Sequence, residues 1–379
     1  MTVGTCILLL LLTVGCLVYA APIHTALAEG VFLCLQVILP SLYAMMIAAQ
    51  LLIRTNAHIL LLKPLHRFTQ NVLRIPDVCL AIFLLSQIGG YPIGAKLLDN
   101  ELQNGTLRPR QAAILSGICF GSGPAFLFGT LSAQAGMSGC WLLFGSILLA
   151  NFSLFIIACR FLKLPNLPTV SLQRLQAKTL VETVTQSGTA LLQMCAMILF
   201  FRCLMTVAQA SGLYDLLTVP LQWGFPKNTA EGLLSAGLEI TALTQLVPNT
   251  PLLLALFAAL LAFGGICVHL QIFTITGGRL SLCWMLSLRV LAGGLAAGFC
   301  WFSVCFRLYN CRTLSNLLNN ALLRTFLDTK SAGTTFVIVN HSMIINDMNR
   351  IEFTDFFALF AANAGMLTGL HRCFSHILG

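Results

Sequence analysis

Seven long, predominantly apolar runs constrain this chain more than any other feature: residues 3–21, 31–53, 113–131, 141–158, 190–207, 252–274 and 282–306. A helix needs about 20 mostly apolar residues to cross a hydrocarbon core about 30 Å thick, and these runs approach or exceed that length. Inside lipid every backbone N–H and C=O must find a partner within the protein, which selects helices for runs of this size. The composition agrees, with 58% of the 379 residues hydrophobic and only 9% charged, where a soluble domain carries about 25% charged residues. The expected class is therefore an all-α polytopic membrane protein embedded in a lipid bilayer.

The net charge of +9 is no nucleic-acid signature, because no basic stripe with interleaved aromatics accompanies it. It reads instead as the cationic bias of cytoplasmic loops. The fifteen cysteines form no C-x-x-C pair, and most, Cys16, Cys34, Cys195 and Cys300 among them, sit in apolar runs. They read as small buried hydrophobes, with no metal site and no disulfide framework expected. Residues 3–21 are taken as the first transmembrane helix. A cleaved signal peptide is the alternative, since Val18-Tyr19-Ala20 offers small residues for cleavage, but no Lys or Arg precedes the run.

Two shorter segments contain breakers. Residues 79–95 include Gly89-Gly90-Tyr91-Pro92-Ile93-Gly94, and residues 233–247 include Glu239 and end before Pro248-Asn249-Thr250-Pro251. Arg54, Lys63, Arg67 and Arg74 precede the first, Lys96, Arg108 and Arg110 follow it, and Arg160, Lys163, Arg174 and Lys178 follow the run ending at Ala158. If all three basic loops face the cytoplasm, residues 79–95 enter and leave on one side as a re-entrant hairpin, and such backbone is allowed only where it lines a wet, protein-walled interior. One ordinary span is the alternative. Phe83-Leu84-Leu85-Ser86-Gln87-Ile88-Gly89-Gly90 is similar to Leu260-Leu261-Ala262-Phe263-Gly264-Gly265, and glycine-interrupted segments at matching places in two halves point to a transporter site.

Ionisable groups inside apolar stretches mark pathways or sites by default, because burying them in hydrocarbon costs roughly 2.5 kcal/mol or more. Glu239 is suited to bind a proton or a cation, or to receive a hydrogen bond from a substrate; the structural alternative is a carboxyl that caps a broken helix or pairs with an Arg. His269 is suited to a proton relay, its alternative being a satisfied core histidine. Gly264, Gly265 and Gln271 beside it permit a backbone break lined by polar groups. Lys96 either attracts an anion or snorkels to the interface, and Arg289 or Arg202 either counters Glu239 or binds a carboxylate. Tyr91, Ser122, Ser86, Gln87 and Asn151 supply neutral polar groups, which in spans are often interhelical contacts. No Gly-x-Ser-x-Gly elbow, Walker loop or His-Glu-x-x-His occurs, so no catalytic grouping is expected.

Read in order, several strings resemble the YlbJ-type, or SpoVV-type, sporulation integral membrane proteins, which carry the nucleoside-recognition or Gate domain. They are Val37-Ile38-Leu39-Pro40-Ser41-Leu42, Gly89-Gly90-Tyr91-Pro92-Ile93-Gly94-Ala95-Lys96, Gly121-Ser122-Gly123-Pro124-Ala125-Phe126-Leu127-Phe128-Gly129-Thr130, Gly237-Leu238-Glu239-Ile240-Thr241 and Phe263-Gly264-Gly265-Ile266-Cys267-Val268-His269-Leu270-Gln271. The resemblance covers about residues 1–308. Cys119-Phe120-Gly121 departs from the family's C-N-N, which takes amide hydrogen-bonding capacity from a cavity wall, and Gly89 replaces a family Ser. The resemblance implies a protein of a forespore membrane in endospore-forming bacteria, linked to moving dipicolinate. The domain's name points to concentrative nucleoside transporters, whose repeats also use hairpins.

The expected organisation is a first helix and external loop (1–30), a first Gate-like repeat (31–160), a cytoplasmic linker (161–185), a second, inverted repeat (186–308) and a divergent tail (309–379) with a strand-like stretch at 334–339. The expected function is movement of a small polar or anionic metabolite, with Glu239, His269, Gln271, Gly89, Gly90, Tyr91, Lys96, Ser122, Gly264, Gly265 and Arg289 on the substrate path. A proton or cation couples the movement; no cofactor, metal or nucleic acid is involved, and homo-oligomerisation stays open. The alternatives are a non-transporting scaffold for spore envelope assembly and a nucleoside transporter.

Overall fold

The structure, a computed structural model, describes residues 3–57, 77–162 and 173–328. Lys63, Arg67, Arg74, Lys163 and the strand-like stretch at 334–339 lie outside the described residues. The chain divides into a unit over Met1–Asn310 and one over Cys311–Gly379. Of the second only the backbone to Asp328 is described, as the end of a helix.

The described residues are mostly helical, with no strand among them. Five stretches are long and apolar enough to cross a membrane: Ala20–Leu52, Ser132–Leu162, Ala177–Ala210, Pro251–Ile275 and Leu282–Phe306. They belong to α2 (Ala20–Leu33) joined to α3 (Leu39–Arg54), to α8 (Ser132–Leu162), to α9 (Ala177–Ala210), to α12 (Pro251–Phe263) with α13 (Gly265–Ile275), and to α14 (Leu282–Asp328).

Two expectations about the runs are corrected. The first run breaks at Tyr19 into α1 (Val3–Val18) and α2, so residues 22–30 are helix where an external loop was expected. Ala20, Ala21, Ala26 and Ala28 favour helix, and Pro22 falls in the first turn, where its missing N–H costs nothing. The run 113–131 is not one span. α6 (Pro109–Ser116) stops short, irregular backbone follows, and α7 (Pro124–Gly129) starts afresh. Gly123 has φ of 68° and Pro124 lacks an N–H, so neither can continue a helix from the amino side.

Between α2 and α3 the helix loosens into a π segment, Cys34–Ile38, just ahead of Pro40. A proline cannot donate back along the helix, and next to it the Ser41 hydroxyl donates to the Val37 carbonyl at 2.7 Å.

Four interruptions organise the interior. α4 (Asp77–Gly89) and α5 (Tyr91–Gln103) meet at Gly90 and pack along each other. α11 (Lys227–Leu238) and the 3₁₀ helix Ile240–Gln245 meet at Glu239 and do likewise. The α6–α7 and α12–α13 pairs do not fold back on one another. Asp99 at the end of α5 takes a two-pronged ion pair from Arg279 in the turn before α14, at 2.7 and 2.6 Å. Gln111 of α6 donates to the last carbonyl of α8, Leu162, and Arg110 lies over the Trp284 ring of α14. Arg54 at the end of α3 binds Glu182 and Gln186 in the early turns of α9. Arg54, Lys96, Arg110 and Arg279 therefore collect at one end of the bundle.

Candidate substrate cavity

Glu239 terminates α11 in extended backbone, with φ of −138°. Its carboxylate accepts from the Thr241 N–H at 2.9 Å and from the Thr241 hydroxyl, capping the 3₁₀ helix that follows. The group is 2% exposed. The capping role weighed for this residue in the sequence is therefore present, and the same side chain also faces a cavity.

The interruptions touch one another because their glycines let backbones meet. A Cβ on Gly123 would stand 3.2 Å from the Gly90 Cα, and one on Gly265, whose φ is 76°, would stand 3.2 Å from the Ile240 nitrogen. The first contact joins the α4–α5 break to the α6–α7 break, and the second joins the Glu239 break to the α12–α13 break. Tyr91 ties the two groups together, its hydroxyl donating to the Leu261 carbonyl of α12 at 2.9 Å.

Arg289 of α14 is the largest fully buried side chain, at 0% exposure. One guanidinium nitrogen donates to the Phe120 carbonyl at 3.3 Å and to the Ala262 carbonyl at 3.1 Å, and the other to Asn151 Oδ1 at 3.0 Å. Its cation also lies 4.8 Å from the Phe120 ring centre. Asn151 donates in turn to the Phe120 carbonyl and to Gln87 Oε1. These are carbonyls that broken helices leave without an intrahelical partner, and they hold the terminal nitrogens of the buried cation, while its Nε makes no hydrogen bond. Gln87 and Asn151 thus serve as interhelical contacts, and Arg289 joins the two through-running breaks rather than countering Glu239.

A cavity of about 40 Å³ lies where the interruptions converge. Of the residues expected on the substrate path, Gly89, Gly90, Tyr91, Ser122, Glu239 and Gln271 line it, with Ile38, Met46, Thr241 and Val268 completing much of the wall. Gly264, Gly265, His269 and Arg289 are not in that wall but pack around it. His269, 2% exposed, stacks on Phe120 with centroids 5.4 Å apart and meets Phe263 edge-on at 4.9 Å. Neither of its ring nitrogens makes a hydrogen bond of ordinary geometry, and the Phe263 backbone lies beside it as an acceptor. Lys96 belongs elsewhere, on a larger vestibule of about 610 Å³ shared with Gln50, Arg54, Asn100, Gln186 and Gln193 at the basic end.

Met46 and Ile93 deserve notice beside these. Met46 lies on the walls of both the cavity and the vestibule, and Ile93 on that of the vestibule. Sequence reading missed Met46 because a methionine in an apolar run carries no signal of its own. It also missed the Asp99–Arg279 pair; the acid near the end of α5 was a signal, but its partner stands 180 residues away. Thr241, two residues after Glu239, was legible as a capping partner. Among the described residues no group of three or more metal-ligating side chains occurs.

Comparison of the chain with protein-family models, with curated proteins and with solved structures finds no match. The class the fold defines is an all-α chain with several helices apt to cross a bilayer, compatible with a multi-pass membrane protein.

Proposed function

We propose that this protein is a multi-pass transporter that moves a small polar or anionic metabolite through the cavity around Glu239, Tyr91, Ser122 and Gln271. The observation that carries the reading is the convergence of segments from four helix interruptions on one small cavity. Broken backbone in a membrane is tolerated only where protein or water satisfies it, and transporters place binding sites at such breaks.

The sense of the interruptions supports two inverted halves. α4 and α5 extend from the basic end to their break, and α6 leaves that end towards its own. α12 runs towards the basic end, with α13 finishing beside the vestibule, and α11 approaches its break from the opposite side. On this reading the fold-back α4–α5 corresponds to α11 with the 3₁₀ helix, and α6–α7 to α12–α13. The likeness of residues 83–90 to 260–265 then reflects shared break chemistry rather than equivalent position. With the basic end cytoplasmic, α4–α5 is a re-entrant hairpin and the vestibule opens to the cytoplasm.

A volume of about 40 Å³ holds water but no metabolite, since one water needs about 10–15 Å³ on this measure. On this reading the walls must part before a metabolite enters, and Met46, which lines both spaces, stands between vestibule and site. By the YlbJ-type resemblance the cargo is dipicolinate and the setting spore formation; a nucleoside is the cargo that the domain name suggests. The test is mass spectrometry of small molecules retained by the purified protein, followed by uptake into liposomes with and without a pH gradient. Glu239→Gln and Gln271→Ala are expected to insert normally and to lose most uptake. Wild-type uptake by both variants would remove the site assignment.

A further inference from the structure

α1 is the least anchored helix of the bundle. None of its described side chains is buried, and its packing partners are α9 and α2. In a bilayer apolar area alone does not hold a helix in place, because lipid tails are as apolar as leucine. At the α1–α9 contact Cys16 Sγ lies 3.8 Å from Cys203 Sγ, and both thiols are free and partly exposed. One turn further along α9 the Val207 side chain fills the space beside Gly15, where an added Cβ would come within 2.8 Å of it.

The depth of this pair is set by α9. Its 34 residues make a rod about 51 Å long, roughly 20 Å more than the hydrocarbon core. Glu182, near its start, binds Arg54 at the basic end. Cys203 stands seven residues, about 10 Å, before the opposite end at Ala210. With the excess shared between the two faces, the Cys16–Cys203 pair sits at the hydrocarbon boundary away from the basic end. A second thiol pair, Cys34 with Cys195, lies together further down the same helix, near the cavity residues Met194 and Ile198.

We propose that Cys16 and Cys203 are a disulfide site that staples α1 to α9 on the extracytoplasmic face. With the basic end cytoplasmic, that face is the oxidising one, where disulfides form and persist. One cysteine thiolate attacks the disulfide of an extracytoplasmic dithiol–disulfide oxidant and releases one of its sulfurs as a thiol. The second cysteine then displaces the other. The S–S bond of this chain forms, two protons and two electrons leave it, and the oxidant ends as a dithiol. The sulfurs must close from 3.8 Å to about 2.05 Å, a movement within reach of a lightly packed helix. The Cys34–Cys195 pair, in the bilayer interior and away from soluble oxidants, stays reduced. α9 also carries Gln186, Gln193, Met194 and Ile198 on the cavity walls, so the staple holds α1 against the helix that frames the site.

The test needs no transport assay. The full chain is taken from membranes under N-ethylmaleimide without reductant, digested, and searched for linked peptides. The expected result is a Cys16–Cys203 linked peptide that disappears in Cys16→Ser and in Cys203→Ser, with Cys34 and Cys195 recovered alkylated. Dithiothreitol is expected to lower the melting temperature of the wild type and to leave that of the Cys16→Ser/Cys203→Ser protein unchanged. Recovery of both Cys16 and Cys203 as alkylated thiols from the wild type overturns the proposal, and so does a Cys34–Cys195 link in their place.

Discussion

Replacing Arg289 with methionine removes a side chain that hydrogen-bonds to both through-running breaks. The Ala262 carbonyl and Asn151 Oδ1 each lose the donor that Arg289 supplies, whereas the Phe120 carbonyl keeps Asn151 Nδ2 at 2.8 Å. Two orphaned buried acceptors cost about 1–3 kcal/mol each, or roughly 2–6 kcal/mol together. Methionine fills much of the volume and removes a desolvated cation, which offsets part of that cost. The expected net loss is about 2–4 kcal/mol, visible as a fall of several degrees in the melting temperature of detergent-purified protein followed by tryptophan fluorescence.

Lysine at 289 is expected to recover little, because a single ammonium cannot span two carbonyls and an amide as a planar fork does. The decisive measurement is a double-mutant cycle with Asn151→Leu. Both residues serve one network, so the double variant should lose about 1 kcal/mol or more less than the sum of the two singles. An Arg289→Met protein that melts within a degree of wild type, or strictly additive singles, would refute the claim that this guanidinium ties the breaks together.

Met46→Ala should join vestibule to cavity and raise the rate at which a thiol reagent labels a Glu239→Cys probe from the basic side, whereas Met46→Trp should suppress it; equal labelling in both would remove Met46 as the barrier. Arg279, followed in effect by Gln103, holds the Asp99 carboxyl below the ordinary carboxylate range against the opposing effect of burial. A depressed pKa adds stability that is present above the unfolded-state value and is lost as pH falls through the folded one. The wild type should therefore lose thermal stability on acidification through the carboxylate range more steeply than Asp99→Asn, and identical pH profiles would exclude the pair as a contributor. The swap Asp99→Arg/Arg279→Asp should restore more stability than either single change, which is checked in the same melting assay.

The helical class was legible because run length and the bilayer's demand for internal hydrogen bonds leave few alternatives. Where the sequence misled, the cause was local chemistry inside an apolar average. Residues 113–131 are apolar enough to span, yet Gly123 and Pro124 decide the backbone there. The residues brought to the cavity wall were found largely through their breakers, since Gly89, Gly90 and Tyr91 announce an interruption and Glu239 announces a buried charge. His269 and Arg289 were equally conspicuous but do not line the cavity, because a residue's oddness reveals that it is buried among partners and not which partners. Asn151 and Phe120 could not have been paired with Arg289 from sequence, being 138 and 169 residues away.

The way the broken helices are capped bears on what the cavity can hold. The two longer half-helices that begin at the interruptions, α5 at Tyr91 and α13 at Gly265, place Tyr91, Val268 and Gln271 on the wall. Helix starts carry partial positive charge and unpaired N–H groups, and helix ends carry the opposite. The opposing carbonyls already hold donors, that of Leu261 the Tyr91 hydroxyl and those of Ala262 and Phe120 the Arg289 guanidinium. Glu239 takes up its own share of donors through Thr241. On the proposed transport reading, helix starts at the wall and carbonyls that already hold donors suit an acceptor-rich ligand. Arg289→Met should then weaken retention of such a ligand by more than its loss of fold stability explains, which ligand binding measured well below the variant's melting temperature would reveal.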